Sequence, residues 1–148
     1  MPVPFFKARV NIVRNIPALI AIAVLPVFMW NEAEAETSCG IETLTGTYII
    51  SASGTEGGNF SAYAGMIAYD GKGKFQVRIR YGGPSQETKE DHGKYALVGP
   101  CEIEAVSQSG RSAHYFIDPS GERFRYVMTS GGSVVGDAQR ISRESLFE

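Results

Sequence analysis

The most constraining feature of this sequence is a series of short alternating segments separated by glycine-rich turns. In residues 74–81, KFQVRIRY, apolar side chains occupy every second position and arginines lie between them. Successive side chains of a β-strand point to opposite faces, so this segment predicts a strand with one apolar and one basic face. Residues 92–98 and 122–129 repeat the pattern. The sequence therefore predicts at least three strands that have one apolar and one basic face.

Five further segments of similar length complete the series, and no helical periodicity accompanies them. The turns between them contain Asp-Gly, Gly-Pro and Ser-Gly-Gly, which supply the backbone conformations that hairpins require. The eight predicted strands are 46–53, 62–69, 74–81, 92–98, 101–108, 111–117, 122–129 and 133–142. The sequence thus predicts an all-β domain.

A meander of eight antiparallel strands has two exposed edges, and exposed edges promote aggregation. Closing the sheet into a barrel removes both edges. Eight strands enclose an interior that side chains fill or that holds one small ligand. We therefore predict an eight-stranded antiparallel up-and-down barrel, with a two-sheet sandwich as the alternative.

Residues 1–35 have the composition of a secretory signal peptide. Three basic residues precede the apolar run 18–30, and a small-x-small pattern ends at Ala35. This arrangement predicts cleavage before Glu36. A transmembrane anchor is the alternative, but the run has 13 residues and a spanning helix needs about 20. The sequence predicts a secreted or periplasmic product with no membrane attachment after cleavage.

The chain without its leader, residues 36–148, has the size of a single domain. Removing the three basic and two acidic leader residues from totals of 14 and 16 leaves 11 and 14, a net charge of −3. This balance gives no indication of a nucleic-acid or acidic-membrane partner.

Two cysteines remain after cleavage, Cys39 and Cys101. An even pair in an exported chain indicates a disulfide, because export leads to an oxidising compartment. Two buried free thiols are the alternative. A catalytic cysteine is disfavoured because neither residue is adjacent to a histidine in the sequence.

The alternation also predicts which side chains face the barrel interior. An unpaired buried charge costs several kcal/mol, so the arginines of these strands should face water and the apolar residues the interior. Tyrosine rings with hydroxyl groups suit a small, largely apolar ligand. The arginines predicted to face water are Arg78, Arg80, Arg123 and Arg125. The predicted ligand-binding residues are Phe75, Val77, Ile79, Tyr81, Tyr95, Phe124 and Tyr126.

Glu102 and Glu104 share one face of the fifth strand with Val106, opposite Ile103 and Ala105. Burial statistics favour an outward orientation, with both glutamates paired to arginines across the sheet. The alternative orientation places one glutamate inside as a buried acid among tyrosines. Burial raises the pKa of a carboxyl group, so Glu102 or Glu104 would then be a candidate for proton transfer.

The first, second and eighth strands carry apolar or small residues on both faces. Exposing so much apolar surface would leave a sizeable patch, which predicts self-association or partner binding there. The alternative is that a loop or the N-terminal segment covers this surface.

His92 and His114 are the only histidines, and neither takes part in a metal-ligand motif. No phosphate-binding glycine loop or nucleophile elbow is present either. The sequence therefore predicts no metal site and no cofactor.

The order of motifs resembles that of a broad group of small, exported, mostly bacterial β-barrel proteins. Cys39 is followed by LTGTYIISASG (44–54), AGMIAYDGKGKF (64–75), GKYALVGPCEIEA (93–105) and FRYVMTSGGSVVGDAQR (124–140). The resemblance implies the fold, an exported location and the pairing of the two cysteines, rather than an activity. Gly-Thr-Tyr at 46–48 is also similar to the Gly-x-Trp of lipocalins, with tyrosine in place of tryptophan. Allene-oxide-cyclase-like barrels have a comparable architecture, but fold alone transfers no function.

Three functional interpretations follow from these observations. The first is a barrel that binds a small, largely apolar ligand in its lumen. The second is a cyclase or isomerase that uses the same pocket, with Glu102 or Glu104 as acid or base. The third is a packed barrel that acts through its surface as a structural or inhibitory module.

Overall fold

The computed structural model describes residues 38–84 and 86–147, so the predicted leader lies outside the described residues. Within them, eight strands pair in sequence order and the last pairs with the first, closing an antiparallel up-and-down barrel. The barrel is therefore confirmed and the sandwich alternative is wrong. The strands are β1 (Thr45–Glu56), β2 (Asn59–Asp70), β3 (Lys74–Tyr81), β4 (Thr88–Gly99), β5 (Glu102–Ser107), β6 (Ser112–Ile117), β7 (Arg123–Met128) and β8 (Gly132–Ser142), and a short 3₁₀ helix (Ile41–Thr43) precedes them.

All eight predicted strands are present, but the first hairpin is longer than the sequence indicated. The segment 54–59 was predicted as a loop, whereas β1 extends to Glu56 and β2 begins at Asn59. Only Gly57 and Gly58 form the turn, with φ of 57° and 84°. Two consecutive positive φ angles are typical of the tight hairpin turn that glycine makes without strain.

The pleat sorts side chains as the alternation predicts. Phe75 and Ile79 are buried in the barrel interior, whereas Arg78, Arg80, Arg123 and Arg125 are exposed. Leu97 differs, because it lies on the inward parity of β4 yet is 40% exposed. The register of β4 against β5 shifts between Leu97 and Gly99, so the alternation is broken at the end of the strand.

A disulfide joins Cys39 to Cys101, with 4.8 Å between their Cα atoms. It attaches the segment before the 3₁₀ helix to the β4–β5 turn. The predicted pairing is therefore confirmed, and the free-thiol alternative is wrong.

The end of the barrel next to this disulfide is closed by side chains. Leu44 is fully buried, and the hydroxyl of Tyr95 donates a hydrogen bond to its carbonyl oxygen at 2.9 Å. Arg140, whose side chain is 6% exposed, donates to the carbonyl oxygen of Thr43 at 2.9 Å and to the hydroxyl of Tyr48 at 2.8 Å. These contacts attach the 3₁₀ helix segment across the barrel end.

The segment that follows β8 covers part of the outer wall. The hydroxyl of Thr47 donates to the carbonyl oxygen of Glu144 and accepts from the backbone N–H of Leu146, each at 2.9 Å. Thr47 and its strand neighbour Ala68 are buried although both lie on the outward parity. The C-terminal segment therefore covers this part of β1. No helix in residues 38–84 and 86–147 is long and apolar enough to cross a bilayer.

Candidate ligand-binding cavity

The end of the barrel opposite the disulfide is open, and a cavity of about 600 Å³ extends inward from it. Its inner walls are apolar and aromatic, and its mouth is polar. The wall residues are Ile50, Ile67, Phe75, Val77, Ile79, Ala105, Ala113, Tyr115, Phe124 and Met128. The mouth is formed where β1, β3, β5 and β7 end, and Glu56, Ser107 and Arg111 lie there.

Six of the seven residues predicted to bind ligand line this cavity, namely Phe75, Val77, Ile79, Tyr81, Phe124 and Tyr126. Tyr95 is also buried inside the barrel, but it lies at the closed end and does not line the cavity. Its hydroxyl bonds the carbonyl oxygen of Leu44 instead. Tyr95 therefore contributes to closing the barrel end. It was predicted to bind ligand because periodicity predicts the face on which a residue lies but not its depth in the barrel.

The cavity exists because small residues occupy positions where larger ones would fill the lumen. Ala105 and Ala113 face each other across β5 and β6, and both are buried on the inner wall. Gly136 lies opposite Tyr126, and a Cβ on this glycine would collide with the tip of the Tyr126 ring. The tyrosine therefore lies flat against the wall and leaves the lumen open.

Two tyrosine hydroxyls meet inside the upper part of the cavity. Tyr126 donates to the hydroxyl of Tyr63 at 3.4 Å, and both residues are buried. Burial raises the pKa of both hydroxyls. It also raises the pKa of Tyr115, deeper in the cavity, to about 12. These phenols are therefore neutral hydrogen-bond donors at physiological pH.

Tyr69 lies among the aromatic rings at the base of the cavity. Its ring makes edge contacts with Tyr48, Tyr95 and Tyr115, at centroid distances of 5.6, 5.1 and 6.3 Å. Its hydroxyl is fully buried and makes no hydrogen bond within 3.5 Å to the described residues. Burial raises its pKa well above the ordinary value, and the Tyr115 hydroxyl adds to the effect.

Arg111 is the main cation at the mouth. Its Nη1 donates to the hydroxyl of Tyr81 at 2.8 Å, and its Nη2 pairs with the carboxylate of Glu56 at 2.7 Å. The side chains of Arg111 and Glu56 are 28% and 29% exposed. Burial opposes the charge, but Tyr81 and Glu56 outweigh it and raise the pKa of Arg111. Arg111 therefore holds a fixed position at the rim.

The remaining charged groups of the rim are mainly acidic. Glu87, Glu90 and Asp91 line the mouth, whereas Lys89 is the one further cation among the lining residues. Asp91 accepts a hydrogen bond from the hydroxyl of Ser109 at 2.5 Å. Burial opposes ionisation of Asp91, but hydrogen bonds from Ser109, Ser107 and the His92 backbone lower its pKa.

Glu102 and Glu104 lie on the outer wall of β5, because Ile103 and Ala105 face inward. The expectation that both would pair with arginines is wrong. Glu102 pairs with His114 at 3.2 Å, and the strand neighbours of Glu104 are Ala96 and His114. The alternative orientation, with a glutamate buried among tyrosines, does not occur.

The described residues include no cluster of three or more histidine, cysteine or acidic side chains placed to hold a metal. The cavity residues that sequence reasoning missed include Tyr63, Tyr115, Arg111 and Glu56. Tyr115 could have been found, because it shares the inward parity of Ala113 and Ile117. Arg111 shares that parity in the predicted strand 111–117, but the cost of burying a charge argues against an inward arginine.

The barrel is similar to solved structures of designed and natural barrels. A redesigned β-barrel aligns with a TM-score of 0.51 and 14% identity, covering 71% of this chain and 97% of its own. A de novo designed fluorescence-activating β-barrel aligns with a TM-score of 0.48 and 15% identity, covering 68% of this chain and 95% of its own. The wild-type fluorescent protein UnaG aligns with a TM-score of 0.40 and 14% identity, covering 68% of this chain and 99% of its own. At this identity the likeness to the redesigned β-barrel shows the fold alone. No protein-family model and no curated protein matches the chain.

Proposed function

We propose that this protein is an exported barrel that binds a small, largely apolar molecule in its lumen. The observation that carries the proposal is the open cavity of about 600 Å³ with aromatic walls. Pockets of about 300–1,000 Å³ with apolar walls and few polar groups are typical of small-molecule sites. The closed end makes the open mouth the route by which a ligand enters.

The cavity favours this function over the other two interpretations. A packed structural module would fill its lumen, whereas Ala105, Ala113 and Gly136 keep this lumen open. The isomerase interpretation depended on Glu102 or Glu104 acting inside the pocket. Both residues lie on the outer wall, so that mechanism loses its acid and base.

Export is the second part of the proposal. The basic, apolar and small-x-small pattern of residues 1–35 supports it, as does the Cys39–Cys101 disulfide, since such bonds persist in oxidising compartments. The resemblance to small exported bacterial barrel proteins agrees with this location. N-terminal sequencing of the protein from a secreting host should give Glu36 as the first residue. Retention of Met1 on the product would contradict export by a cleaved leader.

Self-association through the first, second and eighth strands is the third part. Ile49 and Val135 lie on the outer wall of β1 and β8 and are 54% and 58% exposed. Two copies that buried this surface would remove it from water. Sedimentation of the wild type should then show a dimer that Ile49→Ser with Val135→Ser converts to a monomer. A wild type that is monomeric at high concentration would contradict this part.

The ligand site is tested by titrating the mature protein with N-phenyl-1-naphthylamine, an uncharged fluorescent probe. We expect saturable binding at one site per chain. Ala113→Phe places a ring in the lumen and should weaken binding at least tenfold. Ala96→Phe adds the same ring on the outer wall of β4 and is the matched control. Equal binding by both variants, with unfolding midpoints near that of the wild type, would show that the probe does not occupy the lumen.

A further inference from the structure

Three tyrosine hydroxyls that line the cavity can each donate a hydrogen bond to a ligand. Tyr63, Tyr81 and Tyr115 line it, and a phenol carries one proton to donate. The Tyr63 oxygen accepts from Tyr126 and the Tyr81 oxygen accepts from Arg111. In the part of the chain that the structure describes, none of these three hydroxyls donates a hydrogen bond. A ligand that enters the cavity therefore meets unused donors on several sides.

The carboxylate acceptors at the mouth are already engaged. Glu56 accepts from Arg111 and from the hydroxyl of Ser61 at 3.3 Å. Asp91 accepts from Ser109 and from the backbone N–H of His92. A ligand that brings an acceptor to the tyrosine protons leaves these bonds in place.

The rim also discriminates against negative charge. Four carboxylates line the cavity mouth, those of Glu56, Glu87, Glu90 and Asp91, against the two cations Arg111 and Lys89. Lys89 lies 3.5 Å from Glu87, and Arg111 is paired with Glu56. Among the described residues of the lining, an anionic ligand would meet no cation without a carboxylate partner, and the surplus of carboxylates would repel it.

From these contacts we infer that the ligand is an uncharged aromatic or similarly flat apolar molecule with a hydrogen-bond acceptor, such as a ketone or ester carbonyl. The acceptor takes the free protons of the cavity tyrosines, and the rings of Phe75, Tyr115 and Phe124 contact the apolar part. This inference rests on the proposed function and adds the chemical class of the ligand.

Three naphthalenes that differ in one substituent test the inference. Calorimetric titration of the mature protein should rank 2-acetylnaphthalene above 2-ethylnaphthalene, with 2-naphthoate weakest. One hydrogen bond is worth about fivefold in affinity, so the ketone should bind about fivefold tighter than the hydrocarbon. If the hydrocarbon binds equally well or the naphthoate binds most tightly, the inference is wrong and the lumen site stands. If none of the three binds, the proposed function fails together with the inference.

Tyrosine-to-phenylalanine variants identify the donor. The ratio of the affinity for 2-acetylnaphthalene to that for 2-ethylnaphthalene should fall towards one in the variant that lacks the donor. The variants are Tyr63→Phe, Tyr81→Phe and Tyr115→Phe, and the affinity for 2-ethylnaphthalene should not fall in any of them. The unchanged affinity for the hydrocarbon shows that the cavity is intact. Tyr95→Phe is the control, because its hydroxyl bonds Leu44 away from the cavity. A ratio unchanged in all three lumen variants would overturn the assignment.

Discussion

The guanidinium of Arg140 donates two hydrogen bonds to the hydroxyl of Tyr48, from Nε at 3.0 Å and from Nη2 at 2.8 Å. Its Cζ also lies 5.3 Å from the centre of the Tyr48 ring. Tyr48 is in the first strand and Arg140 in the last, and the two residues are paired across the seam that closes the barrel. The Tyr48 hydroxyl in turn donates to the carbonyl oxygen of Gly121 at 2.7 Å. This pair adds a buried side-chain contact across the seam at the closed end.

Tyr48→Phe should destabilise the protein, because it leaves hydrogen-bonding groups of Arg140 and Gly121 without their partner in a buried site. We expect a loss of about 1–3 kcal/mol in the free energy of unfolding, measured by guanidinium denaturation. Tyr81→Phe is the matched control, since it removes the same atom from Arg111 at the solvated mouth and water can replace it. If Tyr48→Phe lowers the free energy of unfolding no more than Tyr81→Phe does, the contact between Tyr48 and Arg140 does not stabilise the closed end of the barrel.

Replacing both Cys39 and Cys101 by serine should lower the stability by about 4 kcal/mol, because the bond closes a loop of about 60 residues in the unfolded chain. The measurement is the denaturation midpoint with and without a reducing agent. The reductant should lower the midpoint of the wild type to that of the double variant and leave the variant unchanged. A wild type indifferent to complete reduction would show that the bond adds nothing to stability.

Gly136→Ala should close part of the cavity, because the new methyl group displaces the tip of the Tyr126 ring from the wall. The ring then turns into the lumen and loses its contact with the Tyr63 hydroxyl. Binding of the naphthylamine probe should weaken at least tenfold. Gly99→Ala is the control, as its nearest neighbours are atoms of Glu102 at 3.4 and 3.5 Å, an ordinary contact distance. Full binding by Gly136→Ala would mean that Tyr126 does not limit the lumen.

The buried tyrosines should make the barrel sensitive to alkali. Burial raises the pKa of Tyr95 and of Tyr115 to about 12, from an ordinary value of 10.0. Because the pKa is raised in the folded state, folding favours the neutral phenol. The contribution of these tyrosines to the free energy of unfolding is therefore complete below pH 10 and is lost as pH rises to about 12. Each unit of difference is worth about 1.4 kcal/mol. Denaturation at pH 8, 10 and 11 should show falling stability above pH 10, and Tyr115→Phe should reduce that fall.

The strand pattern and the sorting of apolar residues could be predicted because they depend on a local period of two. Phe75, Ile79 and Tyr126 were assigned to the interior from the alternation and the cost of burying the arginines on the opposite face, and the structure buries all three. The disulfide followed from cysteine number and the predicted compartment, with the resemblance to exported barrels in support. These inferences need no knowledge of which strand ends lie together.

The depth and partners of individual residues could not be predicted, since they depend on register across the barrel. Tyr95 and Tyr81 share one sequence pattern, yet the first lies at the closed end and the second at the mouth. Arg140 was not among the arginines predicted to face water, and its side chain is buried at the cost that burying a charge carries. The tyrosine hydroxyl and carbonyl that offset this cost come from residues more than 90 positions away. The contact of Glu102 with His114, which lies opposite Glu104 in the sheet, depends on register in the same way.

Isoleucine methyl signals in nuclear magnetic resonance test the central claim, an open lumen that takes a small apolar molecule, most directly. Ile49 and Ile50 are adjacent in β1, but Ile50 lines the cavity and Ile49 is exposed outside. Ile103 is buried at the closed end and does not line the cavity. Addition of 2-acetylnaphthalene should shift the methyl signals of Ile50, Ile67 and Ile79 and leave those of Ile49 and Ile103 in place. Shifts at Ile49 with no change at Ile50 would show that the molecule binds the outer wall and that the lumen is not a ligand site.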